Sequence, residues 1–321
     1  MAGGGPVGVV LLNLGAPEDT AHIPDFIRRL LSDGEVVPLP WPLRHLVGLI
    51  ASRRRKGFVA EHYAAIGGKS PLFAETRAQV EALRARLGTH HVVRFAFRHS
   101  SPFAAPVVDA MVESGVRRMV ALPAYPQYSR STTGSGLTDL RHAARRHCLT
   151  LQEVRSYPDA PGYVQALVDA TVPLADKDSY VLFTAHGLPM RTVLAGDPYV
   201  DEVKRTVAAV AAKLPDGVPH SLAFQSRVGR LAWTGPALQD ELKRLGKAGV
   251  TSLVVVPVSF VCENLETLYE LDIEHAELAR EAGITRYRRV RTPGIHPAFM
   301  DELASQVRAA TRAAGWEEEH G

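Results

Sequence analysis

Thr184-Ala185-His186-Gly187-Leu188-Pro189 places an imidazole just after the apolar run Val181-Leu182-Phe183. Gly187 and Pro189 turn the chain there, which leaves the ring at a strand end, where loops face a crevice. Imidazole accepts protons near neutral pH and ligates first-row metals. A hydrogen-bonded structural histidine is the other reading, in a chain with 13 histidines. Downstream, Glu263, Glu266 and Glu270 recur at i, i+3 and i+7, and Glu274 extends the series to i+11. On a helix all four share one face, with Leu265, Leu268 and Tyr269 off it. Like charges so spaced cost an isolated helix roughly a few tenths of a kcal/mol per pair. A solvated acidic face accounts for Glu274. Glu263 and Glu266 instead follow a strand directly, where carboxylates can meet a cation or exchange protons, and the run resembles a route for a hydrated divalent metal.

Other segments narrow the chemistry. Ser131-Thr132-Thr133-Gly134-Ser135-Gly136 heads a helical pattern, and backbone N–H groups at a helix start can hold phosphate or carboxylate. A dinucleotide fingerprint would need glycine at 139, where Asp139 stands. HExxH, GxSxG and a Walker lysine are all absent, which removes the common zinc-protease, serine-hydrolase and P-loop readings. Within residues 36–56, Leu39, Trp41, Leu43, Leu46, Val47, Leu49 and Ile50 lead into Arg53-Arg54-Arg55-Lys56. That pattern suits a surface touching an apolar ligand and an anionic membrane, or a core-packed helix with a solvated basic end.

The elements that must position these groups follow from the apolar pattern. Residues 7–13, 92–97, 119–123 and 149–154 read as strands, and 180–184, 221–224, 253–258 and 287–290 form a second set, with helical segments between. Continuous runs such as Val254-Val255-Val256 suit strands covered on both faces, and right-handed helical crossovers make the sheets mainly parallel. The fold class is α/β: two Rossmann-like domains, each a four-stranded, mainly parallel sheet flanked by helices. Gly115-Val116 and Gly249-Val250 are 134 residues apart, as are Pro123 and Pro257, and Ala96-Phe97 and Ala223-Phe224 are 127 apart, which suggests a duplicated βαβ unit. Turn residues at 157–162 place the boundary, giving domains 6–157 and 158–315.

At 321 residues the chain is long enough for two cores. With 37 Lys plus Arg against 34 Asp plus Glu, the net charge of +3 carries no nucleic-acid footprint. Two cysteines, Cys148 and Cys262, without a CxxC pair, disfavour a disulfide scaffold or zinc ribbon. No apolar stretch of about 20 residues occurs, and the first five residues lack signal-peptide character. The expected setting is the cytoplasm, with peripheral membrane contact through residues 39–56.

Read together, these segments resemble the ferrochelatases, enzymes that insert ferrous iron into a porphyrin. The resemblance rests on Leu11-Leu12-Asn13-Leu14-Gly15-Ala16-Pro17; Tyr63 with Ile66-Gly67-Gly68-Lys69-Ser70-Pro71; Pro126-Gln127-Tyr128-Ser129 with Thr132-Thr133-Gly134-Ser135; Phe183-Thr184-Ala185-His186-Gly187-Leu188-Pro189 with Gly196-Asp197-Pro198-Tyr199; Gln225-Ser226-Arg227-Val228-Gly229 with Trp233; and Glu263-Asn264-Leu265-Glu266-Thr267-Leu268-Tyr269-Glu270. It implies a porphyrin cleft with His186 and Glu266 facing each other across the macrocycle, and Glu263 and Glu270 on an acidic metal or proton path. It further implies that Tyr63, Ser70, Arg98, Tyr128 and Ser129 contact the macrocycle or its propionates. Leu14, Phe260 and Trp233 would pack on it, and Arg54 and Arg55 would meet propionates from the lip.

Two departures are informative. Many relatives have histidine where Asn264 stands, and this residue cannot titrate. Some hold an iron–sulfur cluster, for which two cysteines are too few, so no cofactor beyond substrate Fe²⁺ is expected. The short tail after 315 is likewise expected to leave no room for a cluster extension or an anchor. The implied reaction is Fe²⁺ insertion into protoporphyrin IX, which the apolar lip favours over coproporphyrin III. A cobalt or sirohydrochlorin chelatase would be expected to offer a second functional histidine in place of the glutamate run. A non-catalytic porphyrin carrier would need the pocket but not the acid.

Overall fold

Strands buried along their whole length must be covered on both sides, and β1 (Val7–Asn13) and β7 (Ser252–Pro257) are buried throughout. The computed structural model describes residues 5–227, 229 and 231–316; Val228 of the fifth motif and residues 1–4 lie outside the described residues. Among the described residues, eight strands form two all-parallel sheets. The first joins β1 to β2 (His91–Phe97), β3 (Arg118–Pro123) and β4 (Thr150–Glu153) in the order β2-β1-β3-β4. The second joins β5 (Tyr180–His186), β6 (His220–Gln225), β7 and β8 (Arg286–Arg289) in the order β6-β5-β7-β8. Expected and observed strands agree within one or two residues. The most useful difference is β5, which runs on to His186, so the imidazole belongs to the last strand residue and not to the turn after it.

Connecting helices cover the sheets. In chain order they are α1 (Ile23–Leu31), α2 (Trp41–Ala65), α3 (Leu72–Leu87), α4 (Ala104–Glu113), α5 (Ser135–Arg145), α6 (Pro161–Thr171), α7 (Met190–Leu194), α8 (Tyr199–Ala211), α9 (Leu238–Lys247), α10 (Ala276–Glu281) and α11 (Pro297–Ala313). Val10 and Ala121 pack with Met111 of α4 and Leu140 of α5, and Leu182 and Val255 pack with Leu242 and Leu245 of α9. The duplication inferred from residue offsets extends to hydrogen bonds. Phe97 N–H donates to Pro102 O at 2.7 Å and Phe224 N–H to Pro236 O at 2.8 Å; Val116 N–H reaches Met111 O and Val250 N–H reaches Leu245 O, both at 3.1 Å.

The chain divides into two compact units, Met1–Ser156 with Met300–Gly321, and Tyr157–Phe299. The expected second domain, 158–315, therefore loses its last segment to the first unit. The reason is packing onto α3: Asp301 Oδ1 accepts from Arg86 Nε at 2.6 Å, and Arg308 Nη2 donates to Arg86 O at 2.6 Å.

Helix α2 packs by one face and exposes another. Its buried residues include Gly48 and Ser52, and a Cβ on Gly48 would lie 2.8 Å from Arg28 O, so the small-residue face packs on α1. Trp41, Leu43 and Leu46 stay 64%, 52% and 52% exposed. The apolar face is outside. No described helix is long and apolar enough to cross a membrane.

Candidate active site

His186 ends β5 paired in register with Gln225 of β6. Its Nδ1 lies 2.7 Å from Gly187 O. A carbonyl oxygen only accepts, so Nδ1 carries a proton, and in the neutral ring the lone pair is on Nε2. The His186 N–H donates to Ser259 Oγ at 3.1 Å, which ties the site to the loop after β7. Buried Tyr199, at the start of α8, reaches both Ser259 and the His186 backbone; burial pushes its phenol upward, so it stays protonated. Gly187 suits this close approach, because a Cβ would stand 3.0 Å from Gln225 O and 3.2 Å from Trp233 Cε3. Trp233 therefore packs beside the histidine, held by a bridge to Pro189. Phe260, next to Ser259, is buried.

The glutamates do not form the single stripe that α-helical spacing predicts. Glu263 precedes the helix, and Glu266–His275 is π-helical, closing i→i+5 bonds. Glu263 is buried, Glu266 and Glu270 are half-buried and Glu274 is exposed. Asn264 Oδ1 accepts from Thr267 N–H at 2.9 Å and Thr267 Oγ1 from Asn264 N–H at 3.0 Å, a reciprocal cap at the helix start. That is what this structure does with the asparagine.

Each glutamate sits in a different field. Burial pushes the half-buried Glu266 carboxyl above the usual range, against the pull of His186, so the two groups are within electrostatic reach. Glu270 accepts from Ser226 N–H at 2.6 Å, from the Ser226 hydroxyl, and from Gln225 Nε2 at 3.1 Å. Ser226 adopts φ +66°, left-handed for a non-glycine residue, which aims both donors at one carboxylate. Glu263 is saturated. Its Oε1 accepts from Arg289 Nη1 at 2.9 Å, Thr292 N–H at 3.0 Å and Thr292 Oγ1 at 3.1 Å, and its Oε2 from Thr267 Oγ1 at 2.6 Å. Burial alone would raise this carboxyl, but Arg289, Thr267 and Thr292 hold it below the usual range. Glu263, expected on the metal or proton path, is thus engaged at both oxygens by protein donors. Among the described residues, no three His, Cys, Asp or Glu side chains converge to hold a metal ion.

In the first unit Leu14 and Arg98 directly follow β1 and β2, while the other expected residues lie on helices and loops. Leu14 N–H donates to Tyr125 Oη at 2.7 Å, and Tyr125 donates to Asn13 Oδ1 at 2.7 Å. Tyr128 carries Arg155 over its ring at 4.3 Å, and Ser129 Oγ lies 3.1 Å from Ser131 Oγ. Tyr63 and Ser70 are buried where α2 leads into α3. Arg54 is exposed and Arg55 half-buried on α2. Arg98 is engaged by the protein itself: Nε donates to Ser135 Oγ at 2.7 Å and Nη2 meets Asp33 Oδ2 at 3.1 Å. The Ser135 hydroxyl, in the segment expected to hold an anion, donates to the same Asp33 Oδ2. Burial, and then the Arg98 charge, push the neighbouring His99 down to about 4, so it is neutral at physiological pH.

The ferrochelatase family model matches residues 6–311. The chain belongs to the ferrochelatase family. Ferrochelatases similar to it include one from a Nostoc species, 40% identical over 94% of this chain and 82% of that one. Another, from a Sulfurihydrogenibium species, is 35% identical over 94% and 97%. A third, from Phenylobacterium zucineum, is 39% identical over 96% and 92%. Among solved structures, SirB from Bacillus subtilis with Fe³⁺ shares the fold at TM-score 0.57 and 18% identity, covering 75% of this chain and 91% of that one. As a ferrochelatase family member the protein is a metal chelatase, a ferro-lyase acting on porphyrin and iron. Sequence reading quoted Ser226 and Tyr199 within motifs without giving them a role and did not single out Ser259 and Arg289, whose polar side chains are ordinary in type and join the site only through the fold. A serine just past a strand end beside an acidic run was the one available signal.

Proposed function

We propose that this enzyme inserts Fe²⁺ into protoporphyrin IX, with His186 accepting pyrrole protons and Glu266 meeting the metal and passing protons on. The reaction is redox-neutral. Two N–H bonds break, their electron pairs go to iron, and two protons leave. A base with a lone pair directed away from its own hydrogen bond suits the first task, and the Nδ1 bond of His186 to Gly187 O carries this reading because it leaves Nε2 in that state. A carboxyl group whose affinity for protons is raised by burial suits the second. The imidazole and carboxylate make only a weak iron site, as a substrate released into the ring requires.

Leu14, Trp233 and Phe260 are proposed to pack on the macrocycle, with Tyr63, Ser70, Tyr128 and Ser129 at its edge. Arg54 and Arg55 are the cations offered to propionates; Arg98 would have to share a propionate with Asp33. Glu263 is left out of the metal path and Glu270 is given the smaller task of fixing Ser226. The exposed apolar face of α2 supports protoporphyrin IX over coproporphyrin III, since two further propionates against it would be buried without partners at about several kcal/mol. The same face, followed by Arg53-Arg54-Arg55-Lys56, is proposed to rest on an anionic membrane. Comparing kcat/KM for the two porphyrins with Fe²⁺ in one detergent tests the substrate. A preference for the tetracarboxylate overturns that part of the proposal.

A further inference from the structure

The π-helical segment that carries Glu266 is anchored by β8 and the residues after it. Tyr287 and Arg289 alternate onto one face of that strand. Tyr287 Oη donates to Leu271 O at 2.8 Å. Arg289 Nε and Nη2 hold both oxygens of Asp272, each at 2.6 Å, and Nη1 holds Glu263 Oε1 at 2.9 Å. Thr292 and Thr267 fill the remaining positions on Glu263. One guanidinium therefore bridges the residue just before the π-segment to a residue inside it, across the span that contains Glu266. The Arg289 and Glu263 side chains are 9% and 4% exposed, so the link is shielded from water and cannot be replaced by it. A planar fork with donors on two sides can hold both carboxylates at once, which a lysine cannot.

We infer that Arg289 is a positioning residue for metal insertion, clamping Glu263 and Asp272 so that Glu266 is presented to His186, and that Glu263 serves the clamp and carries neither iron nor protons. This rests on the roles proposed above for His186 and Glu266. The test uses the full-length protein and compares Glu263→Gln, Arg289→Lys, the double variant and Asp272→Asn. Steady-state Fe²⁺ insertion into protoporphyrin IX is measured, together with the His186 ring-nitrogen resonances of ¹⁵N-histidine-labelled protein. Displacing a reacting group by about 1 Å can lower kcat about 100-fold. Each single variant is expected to lower kcat about 10- to 100-fold with KM for Fe²⁺ within about twofold. The double variant should be no worse than the worse single, and the His186 resonances should shift alike in all. A raised KM for Fe²⁺ with unchanged kcat in Glu263→Gln overturns the inference, as do multiplicative losses. If the buried variants do not fold, Asp272→Asn, at the more exposed end, decides: a wild-type kcat and an unshifted His186 resonance refute the clamp. If the wild-type protein metallates no porphyrin, the proposed function fails, while the resonance shifts still decide the clamp.

Discussion

Replacing Leu43 and Leu46 by serine separates a docking surface from a packing surface. They lie three apart on α2, on neighbouring positions of one face, and each is 52% exposed. Fully burying a leucine side chain contributes about 1.5–3 kcal/mol. Together the two leave roughly one leucine's worth of surface in water and bury a similar amount. The folded state should lose at most about 1.5–3 kcal/mol, less when residual burial in the unfolded chain is counted. If the exposed halves enter a bilayer, vesicle binding should fall by a similar energy, about 10- to 100-fold in Kd. Co-sedimentation with phosphatidylglycerol-containing vesicles, well below the melting temperature of the variant, measures this. Leu194→Ser, at an 82% exposed position in the other unit, is the control and should change nothing. A lowered melting temperature with vesicle affinity unchanged within about twofold refutes the docking role. Added salt should weaken binding of the wild type through Arg53 to Lys56, each worth about 1 kcal/mol near an anionic surface.

Other perturbations read the remaining parts of the account. Gly15 has φ +90° and a Cβ there would lie 2.2 Å from Ser100 Oγ, so Gly15→Ala should destabilise by about 2–4 kcal/mol and Ser100→Gly should restore part of that, both seen in denaturant unfolding. Glu266→Gln should abolish turnover, retain porphyrin binding and raise the melting temperature at neutral pH. The folded-state pKa of Glu266 is raised, so its charged form costs stability that returns as the pH falls, and the gain from glutamine should vanish in acid. Glu263 has the opposite sign: its folded pKa is depressed, its contribution is complete above the unfolded carboxylate range, and it is lost as the pH drops through the folded value. Acid unfolding of Glu263→Gln should accordingly be less steep than that of the wild type. Glu274→Gln, at an exposed position, should alter neither activity nor stability.

The strands were legible because parallel sheets covered on both faces leave unbroken apolar runs, as in Val254-Val255-Val256, and His186 was legible because a glycine and a proline follow it. The π-helix was not. Residue types at 263–275 fit an ordinary helix equally well, and the β8 side chains that meet Leu271 and Asp272 lie 16 and 17 residues further on in sequence. The partners of Glu263 were not legible for the same reason, since Arg289 and Thr292 come from that distant strand and the residues after it. Arg98 was expected against the macrocycle or its propionates, and only the fold brings Asp33, just past the end of α1, to pair with it. The reading of α2 stayed divided because periodicity marks an apolar face without saying what covers it.

Ferrous iron insertion into protoporphyrin IX by the purified wild type and His186→Ala, under anaerobic conditions and alongside porphyrin binding, tests the central claim most directly. The account predicts a wild type that turns over and a variant that binds the porphyrin but metallates it about 10²- to 10⁴-fold more slowly, the contribution of a general base. A variant that retains more than about a tenth of the wild-type rate, or a wild type that binds porphyrin without ever metallating it, would contradict the account.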